Sequence, residues 1–403
     1  MNGQGKLLTH FLKNADKLVI PVYQRNYDWK EEHCKKLYSD LVKTVREGKR
    51  WHFFGGIVSV SDPMGSSSDY LVIDGQQRIT TVSLLLLAIA NLVKAGIATP
   101  KDPNLYDVIT KYLVDEINPK QRKMKLKPIK GDQDSYDRLW GEPSEYNQSS
   151  RITQNYLYFY NQIQQDDISV DQLFSAVEKL QIIDITLTPP DDDPQLVFES
   201  LNSTGLDLNE GDKIRNFVLM RRSMEEQEQF YDDYWSPIEK NAGYDKQTNS
   251  YDVSPFIRDY LGIKERRLTA MKEIYQEFKD YVEKRGQIED VLKELRDYAK
   301  RYSKIRSGSP EFPRKLRASL YRLNRFESSV CRPFLMEVFR LQEEGQLSLD
   351  DVAEVCRIVE AYLLRRLICD LPSNTQSKVF LTLCNDIKRL DGTYDSFLEK
   401  MKY

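Results

Sequence analysis

One uninterrupted run constrains this chain more than any other: Tyr70-Leu71-Val72-Ile73-Asp74-Gly75-Gln76-Gln77-Arg78-Ile79-Thr80-Thr81, continuing into Val82-Ser83-Leu84-Leu85-Leu86-Leu87. A short apolar stretch reads as a strand, an Asp-Gly pair reads as a turn, and a strongly apolar helix follows without a linker, expected over Thr80 to Ala95. Free amides at a helix start, together with the macrodipole, make a ready anion site. Arg78 adds a guanidinium fork suited to phosphate, and Gly75 lets the backbone approach a ligand closely. Thr80 and Thr81 can cap the helix or bind phosphate oxygens, and Asp74 can hold a metal-bound water or orient Arg78. The plainer alternative is a tight strand-to-helix connection with Thr80 as its N-cap.

Around this run the first 210 or so residues read as mixed α/β. Strand-like stretches lie at Lys17 to Val22, Phe53 to Val60, Tyr70 to Ile73 and Gln181 to Leu187. Helical spacing covers Glu31 to Arg46, Asn104 to Glu116, Ser150 to Gln165 and Val170 to Leu180. The alternation Lys123-Met124-Lys125-Leu126-Lys127 predicts a short edge strand whose lysines discourage sheet-to-sheet pairing. From Lys213 onward the texture changes: only 6 glycines remain, and Arg266 to Arg285, Ile288 to Ile305 and Leu349 to Ile368 carry helical apolar spacing. We therefore expect an α+β chain of 403 residues, with a mixed domain over 1–212 and a helical domain over 213–403.

Composition narrows the function classes. With 40% hydrophobic and 30% charged residues, the chain is neither disordered nor fibrous. Its longest apolar run, Leu84 to Ala90, falls short of a bilayer span, and the N-terminus lacks an apolar secretory core, so no membrane partner is expected. Five cysteines without a C-x-x-C pair fit reduced thiols in a cytoplasmic protein. Charge is nearly balanced, 59 basic against 62 acidic residues, which argues against a simple basic nucleic-acid coat. Yet residues 300–325 hold nine basic residues, among them Arg314, Lys315 and Arg317, against one acid, Glu311. This segregation fits either a phosphate-binding surface or a helix face balanced by acids from another segment.

Several catalytic signatures are absent: G-x-x-x-x-G-K-[ST], G-x-G-x-x-G, H-E-x-x-H and G-x-S-x-G do not occur, and there are only 3 histidines, His10, His33 and His52. Two further constellations stand out. In Phe198-Glu199-Ser200-Leu201-Asn202-Ser203-Thr204-Gly205, Glu199 and Asn202 share a helix face and offer hard oxygen ligands for Mg²⁺, unless they are merely an ordinary polar face. Asn209 with Asp212 three residues on reads as an N-cap, bringing Lys213 and Arg215 into the first turns. In Ile20-Pro21-Val22-Tyr23-Gln24-Arg25-Asn26-Tyr27-Asp28-Trp29, Tyr27 and Trp29 read as core anchors, and Gln24 and Arg25 as site residues able to contact phosphate.

Taken together, IPVYQRNYDW (Ile20 to Trp29), FFGGIVSV (Phe53 to Val60), VIDGQQRITT (Val72 to Thr81) and VFESLNSTGLDLNEGDKIRNF (Val197 to Phe217) closely resemble the ParB-like N-terminal module of GmrSD-type modification-dependent restriction enzymes. The resemblance implies a ParB/sulfiredoxin-like fold for the first domain and a nucleotide-dependent switch, an Mg²⁺-dependent NTPase that regulates cleavage of modified phage DNA. By the same resemblance, Asp74, Gln77 and Arg78 would be catalytic. Gly75, Gln76, Thr80, Thr81 and Lys213 would bind the nucleotide, which could be GTP, UTP, CTP or ATP. Glu199 and Asn202 would hold the metal. Tyr23, Gln24 and Arg25 would sense DNA, and the basic segment adds Arg314, Lys315 and Arg317 as candidate DNA contacts. Many relatives continue into a histidine-rich HNH nuclease domain, and no such motif occurs in this sequence, so an HNH-type domain or subunit is an expected partner. Two other readings stay open: a non-hydrolysing nucleotide-switched binding module, and nuclease activity of the ParB-like domain itself.

Overall fold

The structure, a computed structural model, describes residues 2–61, 69–115, 123–188, 191–202, 208–220, 222, 224–245, 250–326, 329–370 and 376–389. The chain forms two compact units, Met1–Leu206 and Asp207–Tyr403. The texture change at Lys213 falls inside the second unit.

In chain order the first unit holds β1 (Asn2–Leu7), α1 (Leu8–Asn14), β2 (Lys17–Val19), α2 (Glu31–Arg46), β3 (His52–Ser61), β4 (Asp69–Asp74), α3 (Gln76–Lys94), α4 (Leu105–Leu113), β5 (Val114–Asp115), β6 (Lys123–Met124), β7 (Leu126–Lys127), α5 (Lys130–Arg138), α6 (Arg151–Gln165), α7 (Val170–Val177), β8 (Leu180–Leu187) and α8 (Pro194–Asn202). Six strands form one mixed sheet in the order β1-β8-β3-β4-β2-β7. The β1–β8 and β3–β4 pairs are antiparallel, whereas β3–β8, β2–β4 and β2–β7 are parallel. The mixed α/β expectation is met.

Three details of the strands depart from the sequence reading. Strand β2 stops at Val19, short of Pro21, which has no N–H to give a ladder. Strand β1 was not expected, because Asn2-Gly3-Gln4-Gly5-Lys6-Leu7 carries no strand pattern; it exists through its pairing with β8 and the 2.6 Å ion pair of Lys6 with Asp184. The lysine-rich edge strand splits in two. β6 pairs with β5, β7 closes the large sheet against β2, and Lys125 between them is buried, with Nζ donating to the Leu12 and Lys13 carbonyls at 3.2 and 3.0 Å. Lys125 thus satisfies the C-terminal carbonyls of α1 rather than repelling a second sheet.

Helix α3 is the spine of the unit. By length and composition it could cross a bilayer, but 83% of that window is buried here, packed by α4, α6 and α7. It begins at Gln76 rather than at Thr80, with Gly75 as N-cap at φ 94°. The N-cap reading of Thr80 is therefore corrected: it lies in the second turn and is buried, as is Thr81.

The second unit contains α9 (Glu210–Leu219), α10 (Met224–Phe230), α11 (Ser236–Ile238) flanked by π-helical turns at Tyr231–Trp235 and Glu239–Gly243, then α12 (Ser254–Glu265), α13 (Ile274–Arg285), α14 (Ile288–Ser307), α15 (Arg314–Arg325), α16 (Arg332–Glu343), α17 (Leu349–Ile368) and α18 (Gln376–Arg389). Apart from a two-residue ribbon at Tyr244–Asp245 and Ser250–Tyr251, its described residues are helical or connecting, as expected. Its core is aromatic (Trp235, Phe256, Tyr260, Tyr298, Phe334 and Phe339) and includes the buried Glu337, which accepts from the Tyr298 hydroxyl.

The turn at Gly75 gives a first test. A Cβ there would lie 3.0 Å from the Ile57 side chain and 3.1 Å from the Gly56 carbonyl oxygen, on a backbone that L side chains rarely adopt. Gly75→Ala should lower unfolding free energy by about 1–3 kcal/mol in urea titration; an unchanged midpoint would contradict this geometry.

Candidate functional site

The site is built where β3 passes the start of α3. Pairing of β3 with β8 shifts register between Phe53 and Gly55, and Gly55 takes φ 122° at this irregularity. The cleared space is filled by Arg78: a Cβ on Gly55 would lie 2.8 Å from Arg78 Nε. The guanidinium is held by donation from one terminal nitrogen to the Gly56 carbonyl at 3.0 Å, with Asp74 Oδ2 3.8 Å away. Arg78 and Asp74 remain partly exposed, at 32% and 45%. No side chain caps α3, and its first intrahelical bond is Ile79 N–H to Gly75 O at 3.0 Å. The amides of Gln76, Gln77 and Arg78 therefore have no intrahelical partner, as an anion site requires.

Below this rim lies a buried polar network. Gln77 Oε1 accepts from the Asp28 and Trp29 amides at 2.9 and 3.2 Å, while its Nε2 donates to Asn26 O at 3.2 Å. Gln76 Nε2 donates to Gln24 Oε1 at 3.0 Å, and Gln24 Nε2 donates to Ile73 O at 2.8 Å. The Tyr27 hydroxyl lies 2.7 Å from Thr81 Oγ1 and 3.0 Å from Asn155 Nδ2, and Asn155 also donates to Trp29 O at 2.7 Å. From the other side, Asp132 Oδ2 accepts the Tyr27 amide at 2.6 Å. Loop 20–29 is thus tied to the first turns of α3 by side chains rather than by a sheet ladder.

Arg25, Gln76, Gln77, Thr80 and Asp132 line one small cavity in this network. Arg25 Nε is buried there without a hydrogen-bond partner among the described residues. An unmatched buried guanidinium N–H marks an acceptor-shaped gap.

This geometry sorts the expected residues. Asp74, Arg78 and the helix-start amides come together at an open rim. Three others have their side chains engaged inside the protein. Gln24 is 4% exposed with both amide atoms engaged, Gln77 bonds three backbone groups of the loop, and the Thr81 hydroxyl serves Gln77 O and Tyr27. These side chains position the loop. Tyr27 is core, as expected, and so is Tyr23, which is 1% exposed. Glu199, on α8, accepts from Gln195 Nε2 at 2.8 Å; the Asn202 side chain lies outside the described residues. Lys213 belongs to the second unit, where it pairs with Glu210 at 2.7 Å, and Arg215 is buried between Asp212 and Glu239 at 2.8 Å each. Arg314, Lys315 and Arg317 lie on α15 of that unit, away from its buried face.

Among the described residues, no group of three or more His, Cys, Asp or Glu is arranged to hold a metal. Mg²⁺ needs less, since one or two carboxylates suffice when phosphates and water complete its shell. Asp74 meets that requirement at the rim, and Glu199 sits on α8, which packs on β4.

Sequence reasoning missed Asn155 and Asp132. Neither sits in a motif, and each reaches loop 20–29 from a helix more than 100 residues away in sequence. Gly55 entered the sequence reading only within the Phe53 to Val60 motif.

Asp132 yields a pH prediction. Burial pushes its carboxyl up to about 6, opposed only by the Tyr27 amide. The folded state then holds the proton more tightly than the unfolded state, whose aspartate titrates near 4, so stability should fall as pH rises from about 4 to about 6. Asp132→Asn keeps an acceptor for Tyr27 N–H without the charge. It should flatten that part of the curve and raise stability at neutral pH. Urea midpoints across pH 4 to 7 check this, and a wild-type slope in the variant would refute it.

Residues 8–219, just over half the chain, match the family described as the GmrSD restriction endonuclease, N-terminal domain. No curated protein sequence matches the chain. The matched span runs from α1 through α9 and so takes in the Gly55–Arg78 approach, the uncapped start of α3 and the whole glutamine network. The chain belongs to the GmrSD restriction endonuclease family, through its N-terminal domain.

Proposed function

We propose that the first unit binds a nucleoside triphosphate at the start of α3 and hydrolyses it with Mg²⁺. It would do so as the sensor and regulator of a modification-dependent DNA restriction system whose cutting is done by an HNH-type nuclease domain or subunit. The observation that carries this reading is the uncapped start of α3 beside Arg78, a guanidinium fixed by Gly56 O and seated in the space that Gly55 leaves open. Phosphate oxygens would accept from the Gln76, Gln77 and Arg78 amides, and Arg78 would neutralise charge developing on the transferred phosphoryl group. Mg²⁺, held by Asp74 with Glu199 as second carboxylate, would supply further charge neutralisation. Restriction-family membership supports DNA and a nuclease as partners.

One observation favours a second reading, a nucleotide-switched binding module without turnover. The Gln77 side-chain carboxamide, a group able to orient a water, is committed to loop 20–29. A nucleotide that reorganised this amide would change the loop rather than activate water.

Phosphate release with GTP, UTP, CTP and ATP plus Mg²⁺ separates the readings. Arg78→Ala should lower turnover by about 10²–10³-fold, the usual effect of removing one preorganised charge-stabilising donor. Gly55→Ala should act in the same direction by displacing Arg78. Tight binding without release would establish the switch, and no binding of any nucleotide would sink both readings.

DNA binding is tested on the second unit. Reversing Arg314, Lys315 and Arg317 to Glu should weaken binding and lower the salt slope by roughly 0.9 for each DNA phosphate no longer neutralised. An unchanged slope would make these residues an ordinary solvated face.

A further inference from the structure

Helix α15 buries Leu316, Ser319, Leu320 and Leu323. Its outer face carries a large aromatic, Tyr321, 66% exposed. Arg317 lies one turn earlier on the same face, and its side chain has no hydrogen bond or ion pair among the described residues. Both side chains edge an open cleft of about 410 Å³ between α15 and the turn that ends α14. That volume is in the ~300–1,000 Å³ range of small-ligand sites.

The cleft is built rather than accidental. Arg306 forms one wall and is fixed by donation to the Ala242 and Tyr244 carbonyls at 3.2 and 2.9 Å, which leaves three of its five N–H donors. Asn324 holds the far wall by donating to Ile305 O, Arg306 O and Leu320 O at 2.8, 3.2 and 3.0 Å. Ser307 and Ser309 add hydroxyls, and no lining residue is acidic. Of the acids nearby, Glu343 pairs with Arg301 and Lys304, Glu360 with Arg322 and Glu354 with Arg357, while Glu311 is exposed just beyond Pro310 and is not among the lining residues.

We propose that this cleft receives an unstacked base of a single DNA strand. The base stacks on the Tyr321 ring, and the flanking phosphates lie against Arg317 and the remaining donors of Arg306. A duplex keeps its base faces covered and cannot stack on a phenol inside a concavity, whereas a displaced or frayed strand can. The inference rests on the DNA-binding reading and adds the strand form and the residue that recognises it.

The test is fluorescence anisotropy of the full chain with a labelled thymidine 12-mer, with a duplex of the same length, and with unlabelled thymidine monophosphate as competitor. Tyr321→Ala should weaken single-strand binding roughly 5- to 150-fold, the effect of removing one base–aromatic stack. Tyr321→Trp should restore it, and duplex affinity should stay unchanged in both. Because Tyr321 is exposed, thermal unfolding of the variants should match the parent and exclude a folding defect. Equal single-strand binding by parent and Tyr321→Ala overturns the cleft assignment, and if duplex still binds, the DNA reading survives. No binding of either form removes both. Monophosphate competing at the same concentration as the oligomer overturns the strand and leaves a free-nucleotide site.

Discussion

Because Gly55 has no Cβ, the Arg78 guanidinium can lie against the backbone of β3 while one of its terminal nitrogens bonds the next carbonyl. Because Gly75 has none either, the chain can turn from β4 into α3 close against Ile57 and Gly56. These two approaches fix the start of α3 to the middle of the sheet. They also explain why the helix starts four residues before the threonines that resemble a cap. A glycine N-cap also leaves the first helix amides without a side-chain acceptor.

The second level of order is the glutamine network. Buried amides are costly unless fully matched, and Gln24, Gln76 and Gln77 are matched mainly by one another and by the backbone of loop 20–29. Such a network has few alternative arrangements. Gln76 and Gln77 open α3, and their side chains hold the loop that carries Arg25.

In the second unit, pairing separates cations that look equivalent in sequence. Arg301, Lys304 and Arg322 meet Glu343 and Glu360. Arg314 and Arg317 meet no carboxylate among the described residues, and Lys315 has Glu354 for a neighbour. The near-neutral total charge hides this division, because acids on α16 and α17 neutralise α14 and one face of α15 while leaving the other face basic.

Much of the fold was legible from the chain itself. Helical spacing marked α2, α6, α14 and α17 nearly to their ends, since an amphipathic period reports directly which face is buried. The strand–turn–helix run identified the rim, because Asp-Gly followed by an apolar helix has few conformational solutions. Tertiary structure decided the rest. It made a strand of Asn2–Leu7, buried Lys125 under α1, and gave the Gln24, Gln77 and Thr81 side chains internal hydrogen-bond partners. It also brought in Asn155 and Asp132, which no motif announces. Local sequence determines which backbone conformations and faces are available, but a side chain's hydrogen-bond partners come from segments far along the chain. Whether a polar residue is site or scaffold is settled only when those segments meet.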